Sequence, residues 1–118
     1  MVRGISLLRK YASSTLSFTD VVTGELMLLP GVERVEQGED VELRVGGKTF
    51  AHIHGSDRID VRLPLDLKDS LINQGAVSRS PETHDREGWV VLKLGGRPNL
   101  GFVTRVLQAA YKHTSSTL

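Results

Sequence analysis

The chain has 118 residues, a formal net charge of +1, 25% charged and 39% hydrophobic residues, which is typical of one globular domain rather than a disordered chain. It contains no cysteine, which excludes disulfides, thiolate zinc sites and cysteine nucleophiles. No apolar run approaches the roughly 20 residues that span a membrane, and we see no signal peptide, so we expect a cytoplasmic domain over residues 1–118 without a membrane partner.

The first half of the chain predicts helices followed by a β-meander. Residues 5–11 have a helical pattern, and Ser17 is placed to cap a helix that runs to about Leu29 and stops at Pro30-Gly31. Apolar and polar residues then alternate, with Gly46-Gly47 as a hairpin turn. The strands predicted from this alternation are 32–36, 41–45, 48–54 and 59–63.

The second half predicts a helix over 65–74 that is ended by Gly75, a short strand at 76–78, a strand at 89–94 and a terminal helix. An apolar stripe marks that last helix, and residues 113–118 are predicted to be a frayed tail. Because the strands cluster and helices flank them, we predict a two-layer α+β fold. Its antiparallel sheet is a meander plus one or two later strands, with helices on one face. The other face, here called the open face, is left for water or a partner.

The segment from Ala51 to Pro64 contains a His-x-His pair and a Leu-Pro motif, and a helix ending in Gly75 follows it. A histidine-bearing loop, a strand beginning Gly88-Trp89 and a helix ending at Tyr111 complete the pattern. Over about the last 65 residues the chain resembles small bacterial luciferase-domain-like proteins. In its order of elements it is also similar to YjbR/MmcQ-like domains. The first resemblance implies no light-emitting chemistry, since phosphate-loop and flavin fingerprints are missing; the second implies DNA binding.

Two histidines of the third predicted strand are candidate metal ligands. His52 and His54 are two residues apart and therefore point to the same face, together with Phe50. Imidazole suits zinc or nickel, with His84 or Asp57 as a third ligand. The alternative is a pair of partly exposed histidines satisfied by hydrogen bonds.

The open face is predicted to mix aromatic, basic and imidazole side chains. Such a mixture suits stacked nucleic acid bases or a protein partner, although an ordinary half-solvated sheet face looks the same. The residues predicted to form this ligand or partner face are Phe50, His52, His54, Arg62, Trp89 and Lys93.

Charge is distributed unevenly along the chain, with an acidic stretch from Asp20 to Glu42 and a basic end. The bases of the predicted terminal segment are Arg97, Arg105 and Lys112. We therefore expect a binding module rather than an enzyme, with nucleic acid bound through the open face and the basic last helix. The alternatives are a protein–protein interaction domain, including a homodimer, and a histidine-centred metal-binding protein or enzyme.

Overall fold

The computed structural model describes residues 17–81, 85–95 and 99–118. Three helices and six strands occur within these residues. The helices are α1 (Phe18–Leu26), α2 (Leu65–Asn73) and α3 (Leu100–Ser116). The strands are β1 (Val32–Gln37), β2 (Asp40–Val45), β3 (Lys48–His54), β4 (Arg58–Arg62), β5 (Ser78–Arg79) and β6 (Trp89–Lys93).

The six strands form one sheet in the order β1-β2-β3-β4-β6-β5, and each neighbouring pair is antiparallel. Helix α3 packs against β2, β3 and β4, and α1 packs against α3. Buried side chains from all three helices join those of the sheet in a single core cluster. The predicted α+β class, with a meander followed by two later strands, is therefore confirmed.

Local sequence signals set the ends of the elements. The side chain of Ser17 caps α1 by accepting a hydrogen bond from the Asp20 amide at 3.0 Å. Gly46 and Gly47 both have positive φ angles, 57° and 79°, as a two-residue type I′ hairpin turn requires. Helix α2 ends at Asn73. Just beyond it, the amides of Gly75 and Ala76 donate to the carbonyls of Ile72 and Leu71, the paired hydrogen bonds of a Schellman motif.

The end of the chain differs from the prediction. Helix α3 continues to Ser116, and Thr114 is only 1% exposed because it packs inside the fold. The prediction of a frayed tail over 113–118 is therefore wrong for most of that segment. The helix predicted at 5–11 lies outside the described residues. None of the described helices combines the length and the apolar character that crossing a membrane requires.

A β-bulge in the β2–β3 hairpin sets the register of the sheet. Next to the turn, Arg44 pairs with Thr49, but Leu43 pairs with Ala51, so Phe50 is the extra residue. Phe50 and Ala51 both turn into the core, and Phe50 is completely buried, with its ring 5.8 Å from that of Tyr111 in an edge-on contact. The prediction that Phe50 lies on the open face is therefore wrong, because a bulge interrupts the strict alternation of side chains.

Candidate functional site

The open face is the side of the sheet opposite the described helices. Its side chains alternate with buried core residues along β2, β3, β4 and β6, and most of them are half-buried. The bulge at Phe50 shifts β2 against β3 by one residue. As a result Asp40 lies opposite His54 and Glu42 lies opposite His52. The open-face residues of these four strands are Asp40, Glu42, Arg44, Thr49, His52, His54, Arg58, Asp60, Arg62, Trp89, Val91 and Lys93.

A cluster of two histidines and two aspartates occupies the middle of this face. His54 Nε2 lies 2.7 Å from Asp60 Oδ2, and His54 Nδ1 lies 3.4 Å from Asp40 Oδ2. The rings of His52 and His54 have centroids 4.2 Å apart. His52 Nε2 is 3.9 Å from Asp40 Oδ2 and is shielded from solvent, with no hydrogen-bond partner among the described residues. Three donor atoms, from Asp40, His52 and His54, lie within 4.8 Å of one another.

A pocket of about 230 Å³ adjoins this cluster and has Trp89 in its wall. Glu42, Thr49, Ser80 and Asp60 also line it, and His52 borders both the pocket and the cluster. The Glu42 carboxylate is held by Arg44, whose Nε donates to it at 2.9 Å. Sites for drug-sized ligands are typically 300–1,000 Å³. The pocket therefore suits a ring-sized group rather than a whole dinucleotide or flavin cofactor.

Three bases follow β4 and β6 along the same face, and we call Arg58, Arg62 and Lys93 the basic strip. Arg62 pairs across the strands with Trp89, and Arg58 pairs with Lys93 at the other end. The Nε of Arg62 donates to the Glu87 carbonyl at 3.0 Å, which orients its guanidinium. Arg58 and Lys93 also border a second pocket of about 370 Å³. The acidic side chains of the face lie mostly toward β2, so its charge is divided.

The structure brings together only part of the predicted site. His52, His54, Arg62, Trp89 and Lys93 share the open face, whereas His84 and Arg97 lie outside the described residues. Exposed Arg105 and Lys112 lie on α3, beyond the opposite face of the sheet. The open face and the basic helix thus cannot form one continuous surface.

Asp40 and its contact with the histidines were not predicted from the sequence. The side chain of Asp57, one predicted third ligand, is 84% exposed and lies near Arg58 instead. The position of Asp40 could have been inferred from the adjacent apolar residues Phe50 and Ala51. Two successive core residues in a strand indicate a bulge, and the bulge shifts the register so that Asp40 lies opposite His54.

One family model matches the chain from the turn after β2 to the last turns of α3. The family model described as the Luciferase domain matches residues 47–110, which is more than half of the chain. The chain belongs to the Luciferase domain family. The matched segment contains both histidines, Asp60 and Trp89, whereas Asp40 and Glu42 precede it. A comparison with curated protein sequences gave no significant match.

A comparison with solved structures found a similar fold over most of the chain. The crystal structure of the Deinococcus radiodurans protein DR2400, which carries the domain DUF419, superposes with a TM-score of 0.60 at 16% sequence identity. The superposition covers 80% of this chain and 75% of that protein. DUF419 is a YjbR/MmcQ-like family, so both predicted resemblances are confirmed. At this identity the likeness shows the shared fold alone.

Proposed function

We propose that this Luciferase domain is a binding module that takes single-stranded nucleic acid on its open face. The observation that carries the proposal is the position of Trp89, half-buried in a pocket wall and directly beside Arg62 on the next strand. Nucleic acid bases stack on such aromatic rings in a sequence-tolerant way, and each stacked base contributes about 1–3 kcal/mol. In this proposal the guanidinium of Arg62 contacts the phosphate of the stacked nucleotide.

The basic strip sets the path that the bound nucleic acid strand follows across the open face. Lys93 lies four residues beyond Trp89 on β6, which is about 13 Å at 3.3 Å per residue. At 3.4 Å per stacked nucleotide this distance accommodates about four nucleotides. Arg58, opposite Lys93, supplies a second cation at the far end of the strip. Helix α3 is not part of the proposed surface, because it lies on the other side of the sheet.

The pocket favours some bases over others. Its rim carries the acceptors Glu42 and Asp60 and the hydroxyls of Thr49 and Ser80. The exocyclic amino group of cytosine is a donor to carboxylates, whereas thymine presents a carbonyl oxygen in the same place. We therefore expect oligo-dC to bind more tightly than oligo-dT.

The test is a titration of Trp89 fluorescence with the decamers dC10 and dT10 in 50 and 200 mM salt. Contacts with about three phosphates give a slope of roughly −2 in log–log form, so affinity should fall about 20-fold over this range. Trp89→Ala, followed by anisotropy of labelled dC10, should weaken binding by about tenfold or more, since 1.4 kcal/mol is tenfold. As a matched control, Lys112→Ala on α3 should leave the affinity unchanged.

Two results would reject this function. The first is a flat fluorescence and anisotropy signal at high concentrations of both decamers. The second is binding that is weakened by Lys112→Ala but not by Trp89→Ala, which would show that α3 rather than the open face contacts the nucleic acid. A protein partner on the open face would then be the next candidate.

A further inference from the structure

The His–Asp cluster brings together three atoms of the kinds that ligate zinc, from Asp40, His52 and His54. Asp40 Oδ2, His54 Nδ1 and His52 Nε2 converge, with separations of 3.4 and 3.9 Å from the carboxylate oxygen to the two nitrogens. Zinc binds histidine nitrogen and carboxylate oxygen at about 2.0–2.2 Å, which for tetrahedral geometry places donor atoms about 3.3–3.5 Å apart. The first separation already meets this requirement, and the second needs a shift of about half an ångström.

The hydrogen bond between His54 and Asp60 fixes which nitrogen of His54 is free. A carboxylate can only accept, so at 2.7 Å Asp60 Oδ2 accepts the Nε2 proton of the imidazole. In the neutral ring the lone pair then lies on Nδ1 and faces Asp40 Oδ2. Two acceptors at 3.4 Å repel each other unless a cation lies between them. Metal-binding histidines commonly donate their other N–H to a carboxylate in this way.

His52 supplies an independent observation. Its Nε2 atom is shielded from solvent and makes no hydrogen bond to any part of the chain that the structure describes. Buried polar atoms without partners are rare in native proteins, and each calls for an explanation such as a bound ion. Since the ring lies against His54 and the nitrogen is 3.9 Å from Asp40, a shared cation would satisfy it.

We propose that Asp40, His52 and His54 bind one zinc ion on the open face, with Asp60 as the outer carboxylate that orients His54. Three protein ligands leave a fourth position for water or a ligand, as in catalytic zinc sites. His52 also lines the Trp89 pocket, so a group bound there lies next to the metal. The site goes beyond nucleic acid binding, and the zinc titration below does not depend on it.

The experiment is isothermal titration calorimetry, in which chelator-treated, untagged protein is titrated with ZnCl2 at neutral pH. We expect one zinc per chain. Loss of an outer carboxylate typically costs 10–100-fold in metal affinity, so Asp60→Asn should weaken binding by that factor with unchanged stoichiometry. Loss of a direct ligand in His52→Ala, His54→Ala or Asp40→Asn should cost more than about 100-fold.

Matched controls are His113→Ala, a histidine on α3, and Asp57→Asn, an exposed acid near the site; both should bind zinc as the wild type does. Circular dichroism of each variant shows whether it folds. If a histidine variant does not fold, the melting temperature of the wild-type protein is measured with and without zinc instead. Zinc at 100 times its Kd should raise that temperature by roughly 8–12 °C, and chelator should reverse the rise.

Three results would overturn the proposal. They are no heat and no thermal shift with zinc at 1 mM, zinc binding that survives replacement of both His52 and His54, and zinc binding that is lost in His113→Ala. In the first case hydrogen bonds and ion pairs among the four side chains would account for the cluster.

Discussion

Phe50 is the residue whose replacement tests the bulge on which the open face depends. It is completely buried and contacts the Tyr111 ring at a centroid distance of 5.8 Å. Phe→Ala in a core costs about 3–5 kcal/mol through lost burial and the cavity left behind. If Phe50 instead pointed to the open face, as regular alternation from His52 predicts, the free energy of unfolding would change by no more than about 0.5 kcal/mol.

Urea denaturation separates these two outcomes. With a slope of about 1.5 kcal/mol/M for a small domain, a loss of about 4 kcal/mol lowers the midpoint by roughly 2.5 M. Phe50→Leu keeps most of the buried volume, so it should cost only about 1–2 kcal/mol and remain measurable if the alanine variant does not fold.

The control for this measurement is Val91→Ala, which truncates a half-buried residue on the open face and should cost less than about 1 kcal/mol. A change of less than 1 kcal/mol in Phe50→Ala would refute the bulge. The pairing of Asp40 with His54 and of Glu42 with His52 depends on that bulge.

Three further substitutions test how the fold is held around the site, and urea denaturation checks each. Lys68 is buried on α2, where its Nζ donates to the Asp85 carbonyl at 2.8 Å and lies 3.0 Å from the Asp85 carboxylate. Lys68→Met should lower the free energy of unfolding by about 2–3 kcal/mol, because the carboxylate loses its ammonium partner. An unchanged urea midpoint would contradict this. Thr114 Oγ1 is buried without a hydrogen-bond partner within the described residues, so Thr114→Val should leave stability unchanged or raise it by about 1 kcal/mol; a loss above 1 kcal/mol would reveal a missed partner. Gly88 has φ 96°, and an added Cβ would lie 2.3 Å from the Leu63 carbonyl oxygen, so Gly88→Ala should cost more than about 2 kcal/mol, and wild-type stability would show that β4 and β6 do not approach each other in this way.

Most elements could be predicted from the sequence because their signals are local. Apolar alternation located the strands of the meander, and Ser17, Gly46-Gly47 and Gly75 marked a cap, a turn and a helix end. Each of these residues acts through its own backbone angles or a hydrogen bond to a near neighbour. Helix α3 extends beyond its predicted end because Thr114 is buried by packing. The polar side chain of Thr114 does not contribute to the apolar pattern from which the helix was predicted.

The site could be predicted only in part because strand register is not a local property. The same-face position of His52 and His54 follows from alternation within one strand and was correct. The contact of His54 with Asp40 depends on pairing across the hairpin, and one inserted residue changes every pair beyond it. The separation of the open face from Arg105 and Lys112 likewise depends on which side of the sheet α3 packs against.

Binding of nucleic acid to the open face can be tested without mutation by a ¹⁵N-resolved NMR titration of the protein with dC10, which locates the contact. We predict that the amide signals around His52, Arg62 and Trp89, and the indole N–H signal of Trp89, shift first and saturate together. Changes confined to the outer side of α3 around Arg105 and Lys112, or no changes at all, would contradict it, because the open face would then not be the surface that binds nucleic acid.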